Sequence, residues 1–458
     1  MTDNISELPE GFRRRVLAEP GVNGEALLRS LAEPPSTGVR LNPLRSGRLP
    51  GWLEGAETVP WCPDGRHLAE RPDFTLTPAL HAGGFYVQDP SSMIHQTIVG
   101  RLVDDAPVRV LDVCAAPGGK STAAIAALPE GSLMVANEVM PQRVTILAEN
   151  LLKWGWPATI VTSARASALG RLAGAFDIVM VDAPCSGEGM MRKEAKAVEQ
   201  WSEGLVESCA RLQREILDDV IPALRPGGHL IYSTCTFSRA ENEEMAEMLA
   251  ERYGLESVDL HLEDSGVARG WSEKVVCYRF MPHITRGEGL FVAVFKAPGE
   301  NAPRFASRRQ PRKGKGNGKN AIPALPKLLK NQERYTPVAV GGRIHLIPTD
   351  HLDIYNALSD NGIRMLAAGV EVGEYKRTDL VPAHSLALTS ALDPGAFPDV
   401  PLSEEEAIAY LRCDNIPLPD GTPRGYVTVS YGGMRLGWMK NIGNRANNLY
   451  PKNWRIRK

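Results

Sequence analysis

The sequence predicts a doubly wound α/β fold at its centre, and two observations predict it. Between residues 91 and 300, apolar runs at 108–113, 133–136, 159–161, 178–181 and 230–232 are short and bounded by Gly, Pro or Asp. Such runs read as strands buried on both faces, the mark of a parallel sheet. The second observation is what lies between them: helical periodicity, clearest over 142–154 and 205–224. Strand and helix in alternation build a parallel sheet that binds its ligands at the carboxyl ends of the strands. Two further strands, 275–280 and 290–295, flank the turn Gly287-Glu288-Gly289.

The flanking regions differ in texture. Residues 1–90 mix short amphipathic segments with turn clusters and read as an α+β region. Residues 301–325 are rich in Pro, Gly, Lys and Arg and read as a basic linker. Within it, 304–319 holds seven basic residues and no acidic one. Apolar patterning returns over 326–458, so a second folded unit is expected there. The 458 residues are 43% hydrophobic and 23% charged, with a net charge of −2, which is ordinary for a soluble protein and excludes a wholly basic nucleic-acid binder. No apolar run is long enough for a membrane span and the N-terminus carries no signal-peptide core, so a cytoplasmic protein is expected. The seven cysteines are widely spaced without a CxxC pair. That pattern indicates neither a disulfide framework nor a metal site, and leaves reduced, reactive thiols as the cysteine role to look for.

The first strand runs into a turn of small residues, Cys114-Ala115-Ala116-Pro117-Gly118-Gly119-Lys120-Ser121, and then a helix. Small residues let backbone approach a ligand closely. A phosphate loop is the rival reading, but its first glycine would fall on Cys114. An adenosyl ligand fits better, because Glu138 ends the next strand, where an acid accepts hydrogen bonds from ribose hydroxyls. The bland alternative for Glu138 is a surface glutamate.

Two cysteines fall at the ends of neighbouring strands: Cys185 in Val181-Asp182-Ala183-Pro184-Cys185 and Cys235 in Ser233-Thr234-Cys235. Cysteines are usually small core hydrophobes. A pair at adjacent strand ends, one beside Asp182, instead fits chemistry at carbon 5 of cytosine. That carbon takes a methyl group only after a thiolate adds at carbon 6, which is covalent catalysis. An acid at ring N3 favours the addition, and Asp182 is expected there, protonated or working with a neighbour. Loss of the C5 proton calls for a second group, which a second cysteine can assist.

Together these motifs resemble the RNA cytosine-5 methyltransferase family, the Nol/Nop/Sun family, and within it the bacterial 16S ribosomal RNA enzymes of the RsmF type. The resemblance rests on CAAPGGK at 114–120, Asn137-Glu138 followed by Arg143, DAPCSGEG at 182–189 and STCT at 233–236, with GFYVQD at 84–89, Pro282-His283 and Gly287-Glu288-Gly289 in support. It implies a Rossmann-like S-adenosylmethionine (SAM)-dependent core over 91–300. It implies Cys235 as nucleophile and Cys185 as promoter of product release. It also implies SAM contacts from Cys114, Ala115, Ala116, Pro117, Gly118, Gly119, Lys120, Glu138, Arg143 and Asp182. One departure stands out: relatives often carry an aspartate after the third strand, where this chain has Val161-Thr162-Ser163-Ala164.

The C-terminal region also resembles the RsmF type, and implies a β-rich module like the PUA domains of RNA-modifying enzymes. Lys440, Arg445 and Lys452 are expected RNA contacts, interleaved with Trp438, Tyr450 and Trp454, which stack on bases or else fill a small core. Arg40, in Val39-Arg40-Leu41-Asn42, matches a family segment near the path of the RNA, where it positions the domain or the RNA or else is structural. The expected partner is 16S ribosomal RNA of the small subunit, bound by a monomer without metal or membrane. A transfer-RNA enzyme and a non-catalytic assembly factor are the alternatives.

Overall fold

The computed structural model describes residues 7–300, 322–377 and 379–457. The basic 304–319 tract and most of the linker lie outside them. Two helices, α1 (Glu10–Ala18) and α2 (Gly24–Leu31), precede a sheet of β1 (Thr37–Leu41), β2 (Glu57–Val59), β3 (Cys62–Leu68) and β4 (Phe85–Val87). Its order is β2-β3-β1-β4, antiparallel throughout. Helix α3 (Ile94–Leu102) leads into the core.

The core strands are β5 (Arg109–Asp112), β6 (Leu133–Asn137), β7 (Thr159–Ser163), β8 (Phe176–Asp182) and β9 (Leu224–Thr234). Four helices connect or follow them: α4 (Gly119–Ile125), α5 (Pro141–Trp154), α6 (Glu203–Val220) and α7 (Glu243–Tyr253). Local chemistry sets these helices. Ser202 caps α6 by accepting from Leu205 N at 3.1 Å, and Gly155 ends α5 in the left-handed conformation that glycine allows. The last two core strands are β10 (Cys277–Phe280) and β11 (Leu290–Lys296). The sheet runs β10-β11-β9-β8-β5-β6-β7, parallel from β9 to β7 and antiparallel at β10 and β11. Alternate residues serve opposite faces: Leu111, Val135 and Val179 pack in one core, Val110, Met134 and Ile178 in the other. Burial on both faces explains why the strands read as continuous apolar runs. The chain leaves β5 for β6 on one side while β8 lies on the other, so ligands are expected above the β5–β8 junction.

The C-terminal region divides in three. One antiparallel sheet is made of β12 (Tyr335–Val340), β13 (Arg343–Pro348), β15 (Val370–Lys376) and β16 (Asp379–Pro382). Between its strands, α8 (Leu352–Asp360) and β14 (Arg364–Ala368) leave it, and β14 joins the core sheet antiparallel to β7. A last sheet holds β17 (Asp399–Leu402), β18 (Gly425–Tyr431), β19 (Met434–Asn441) and β20 (Ala446–Asn448). Its helix α9 (Glu404–Leu411) opens with a capping box between Ser403 and Glu406. This module shares one hydrophobic core with the N-terminal sheet: Val39, Leu68 and Phe85 meet Val427, Met434 and Leu436. The two ends of the chain therefore fold against each other.

Candidate active site

The carboxyl ends of five strands converge on one region. After β5, the turn 113–118 reaches α4 with Gly118 at φ 109°, a conformation open to glycine. The turn is held by its carbonyls. Arg143 donates to Ala116 O at 2.8 Å, while Asn150 and Tyr86 donate to Pro117 O at 2.8 and 3.2 Å. Below it, the buried Asp112 accepts from Ser121 Oγ at 2.6 Å, and burial pushes its carboxyl up to about 7. After β6, Glu138 is 3% exposed, accepts from Met140 N at 2.9 Å and pairs with Arg143 at 3.1 Å. A small-residue turn facing a sheltered acid fits the ribose and adenosyl parts of SAM. After β7, no acid appears. Instead Asn137 ties the strand ends, accepting from Thr162 Oγ1 and Ala164 N, both at 2.9 Å.

Asp182 ends β8 in register with Ser233 of β9. Its two oxygens accept from Lys120 Nζ at 2.6 Å and Ser233 Oγ at 2.9 Å. The Lys120 ammonium at that distance holds Asp182 as one half of an ion pair. Its ion-pair partner is thus a residue expected among the SAM contacts. Burial draws the Lys120 ammonium down, but the Asp182 charge outweighs it and the net shift is upward.

Just beyond these strand ends, the sulfurs of Cys185 and Cys235 lie 3.2 Å apart. Cys185 is held well above the ordinary thiol range by its hydrogen bond to Cys235, by burial, and by the charges of Cys235 and Glu241. It therefore keeps its proton. Cys114 is likewise pushed upward by burial and by the carboxylates around it.

Arg40 departs from its expected place on the RNA path. It is 0% exposed, stacked at 4.5 Å over Trp154, and donates to Gln88 Oε1 at 2.9 Å, Thr122 Oγ1 at 2.6 Å, Thr122 O at 3.2 Å and Gly119 O at 3.3 Å. A guanidinium so enclosed cannot reach a phosphate; it pins α4 and the cofactor turn to the N-terminal sheet. Lys440 lies 4.8 Å over the Tyr426 ring, while Arg445 and Lys452 are exposed. Tyr450 fills the core of the module at 3% exposure, and Trp438, at 1%, packs into the adjoining core with Leu328, Leu346 and Leu386, so neither is open to a base. Sequence reasoning quoted Ser233 and Glu188 only within motifs and passed over Glu241, since a lone hydroxyl or acid in a polar turn has no periodic signal. Among the described residues no cluster of His, Cys, Asp or Glu could hold a metal ion, and no helix is long and apolar enough to cross a membrane.

Comparison with known proteins places the chain. Residues 102–296 match the model of the 16S rRNA methyltransferases RsmB/F, 8–90 the RsmF N-terminal domain, and 397–456 the RsmF PUA domain. Ribosomal RNA small subunit methyltransferase F of Shewanella sp. (strain MR-4) is 31% identical over 427 residues, 88% of this chain and 85% of that one. The chain belongs to the RsmF family of 16S ribosomal RNA methyltransferases. The Klebsiella pneumoniae (strain 342) member is 29% identical across 99% of this chain and 97% of its own. RsmF-family proteins are enzymes that methylate ribosomal RNA with SAM as donor. A methyltransferase homologue from Pyrococcus horikoshii superposes with a TM-score of 0.54 at 22% identity, covering 65% of this chain and all of its own. NSun6 of the same organism gives 0.54 at 21% identity, covering 64% of this chain and 99% of its own. These two likenesses show the fold, a Rossmann-like core. The RsmF match adds an N-terminal domain and a β-rich PUA domain.

Proposed function

We propose that this chain methylates carbon 5 of a cytosine in 16S ribosomal RNA through a covalent bond between Cys235 and carbon 6. The observation that carries the reading is the pair of sulfurs at 3.2 Å, beside the Lys120–Asp182 ion pair, at the ends of adjacent strands. The family resemblance assigns Cys235 as the nucleophile and Cys185 to product release, and their sulfurs are within reach of one another.

The chain's residues account for each proton. Cys235 Sγ adds at carbon 6, the ring electrons move toward N3, and the Lys120–Asp182 pair supplies the proton N3 takes up. Bound SAM supplies an electrophilic methyl group, toward which carbon 5 is now nucleophilic. Bond formation at Cys235 removes the charge and the hydrogen-bond acceptor that held Cys185 protonated. Cys185 then releases its proton to solvent and takes the one from carbon 5. As that C–H bond breaks, the C5–C6 double bond re-forms, Cys235 leaves as thiolate, and N3 returns its proton to the pair.

The turn 114–120, with Glu138 and Arg143, is the proposed SAM site, Asp182 facing both donor and base. The catalytic unit is assigned to 91–300, the N-terminal positioning region to 1–90, the linker to 301–325 and the RNA grip to 326–458. Within the last, Arg445 and Lys452 are exposed for phosphate, and Lys440 lies half-buried beside them on the same module. The test is bisulfite sequencing of 16S RNA methylated in vitro. Wild-type protein protects one or more cytosines from deamination and Cys235→Ala protects none. A protected site with Cys235→Ala, or none with wild type, overturns the reading.

A further inference from the structure

Two buried carboxylates cross between the two cysteine loops in opposite directions. Glu241 follows Cys235 in the chain, yet reaches the residue after Cys185: it accepts from Ser186 N at 2.9 Å and Ser186 Oγ at 2.6 Å. Glu188 follows Cys185, yet reaches the Cys235 loop, accepting from Phe237 N at 2.9 Å. Each is held from behind. Gln213 of α6 donates to both Glu241 and Pro184 O, at 3.1 and 2.9 Å. Trp201 Nε1 donates to Glu188 at 2.8 Å, and Arg15 of α1 pairs with it. Both acids are 0% exposed, and Gly189 N adds a bond to Cys235 O at 2.8 Å. A Cβ at Gly189 would sit 2.8 Å from that oxygen, so the loops touch backbone to backbone.

We infer that Glu188 and Glu241 form a reciprocal clasp that fixes the distance between Cys185 and Cys235, and so positions the two thiols for successive steps. The inference rests on the proposed roles of the cysteines. Neither acid touches the sulfurs as a proton carrier; both act through backbone, as positioning residues. Two carboxylates buried without solvent are costly unless their hydrogen bonds are needed where they are. Burial also raises the Glu241 carboxyl, against the hydrogen bonds from Ser186. The two members act on different steps, because Glu241 holds the Cys185 loop and Glu188 the Cys235 loop.

The experiment measures partition, which a merely structural role would not move. RNA carrying 5-fluorocytosine traps the adduct once the methyl group has been transferred, since fluorine cannot leave as a proton, and its rate reads the steps up to methyl transfer without release. Steady-state adduct on unmodified RNA reads release. Glu241→Gln is expected to raise the steady-state adduct about tenfold while the trapping rate stays within about twofold of wild type. Glu188→Gln is expected to slow trapping and turnover together, with no accumulation. Wild-type partition in both variants, at unchanged melting temperature, overturns the clasp. Should either variant fail to fold, Ser186→Ala removes one leg alone and must shift partition in the Glu241→Gln direction; a wild-type ratio there also overturns it.

A second probe does not depend on catalysis. Diamide oxidises the two thiols to a disulfide while it is reduced to the hydrazine, at a rate set by their spacing. Both Gln variants must slow that closure, and equal rates overturn the clasp. If wild-type protein closes the disulfide readily but never traps on 5-fluorocytosine, the covalent reading fails and the clasp is judged on closure alone.

Discussion

The strand-end site and the C-terminal module are both rich in features that resemble the family, but the two behave differently in three dimensions. At the strand ends, residues far apart in sequence come together: Lys120 meets Asp182 and Cys185 meets Cys235 within hydrogen-bonding distance. In the module, residues that resemble an RNA grip split by type. The cations Arg445 and Lys452 are exposed, while Trp438 and Tyr450 are core. A covalent mechanism fixes residue type, order and spacing. A surface for phosphate fixes only a charge within reach, and aromatic rings serve a small β core as readily as a stacking platform.

The comparison breaks if the largest effect falls in the wrong place. Cys235→Ala is expected to lower methyl transfer by at least about a thousandfold while RNA affinity by filter binding stays within twofold. Loss of RNA affinity alongside activity would make the cysteine structural. Next comes Trp438→Ala, expected to destabilise by about 3–5 kcal/mol in denaturant titration. The folded fraction should keep its RNA affinity; lost affinity without lost stability would return Trp438 to a stacking role. Arg40→Ala is expected to cost about 3 kcal/mol, and to weaken SAM binding by calorimetry without reducing the salt dependence of RNA binding. Arg445→Ala and Lys452→Ala are expected to reverse that pattern, each weakening RNA a few-fold and reducing the salt slope by about one.

The smallest effects are those of pH, and the buried histidines and Asp112 oppose each other. Burial pushes His384 in the C-terminal region down to about 3 and His95 beneath the site down to about 4. The unfolded chain takes up those protons below 6.5 and the folded one does not, so stability falls as pH drops from 6.5 toward 4. Asp112 runs the other way. Its carboxyl is raised from 3.8 to about 7 by burial, so the folded state binds the extra proton and stability falls as pH rises through that window. Melting curves from pH 4 to 8 should show His384→Gln flattening the acid side and Asp112→Asn the other. A variant that moves neither limb removes its residue from the account.

Much of this was legible in the sequence, for physical reasons. The core strands are apolar on both faces, and the chemistry-bearing residues sit where those strands end. What stayed hidden depends on distant partners. Arg40 looks like any surface arginine until Gln88, Gly119 and Thr122 enclose it. The strand β14 is short and half-buried, and its place against β7 follows from backbone pairing, which leaves no mark on RMLAA. Glu188 and Glu241 accept mainly from neighbours on other loops, so their spacing along the chain carries no pattern.

The hydrophobic core shared by the two ends of the chain has a consequence for synthesis. Val39, Leu68 and Phe85 leave the ribosome well before Val427, Met434 and Leu436, which cover them, have been made. At about 5–20 residues per second, the N-terminal sheet waits on the order of half a minute with that face bare. A chain that lacked the strands carrying Val427, Met434 and Leu436 would leave the apolar face of the N-terminal sheet bare.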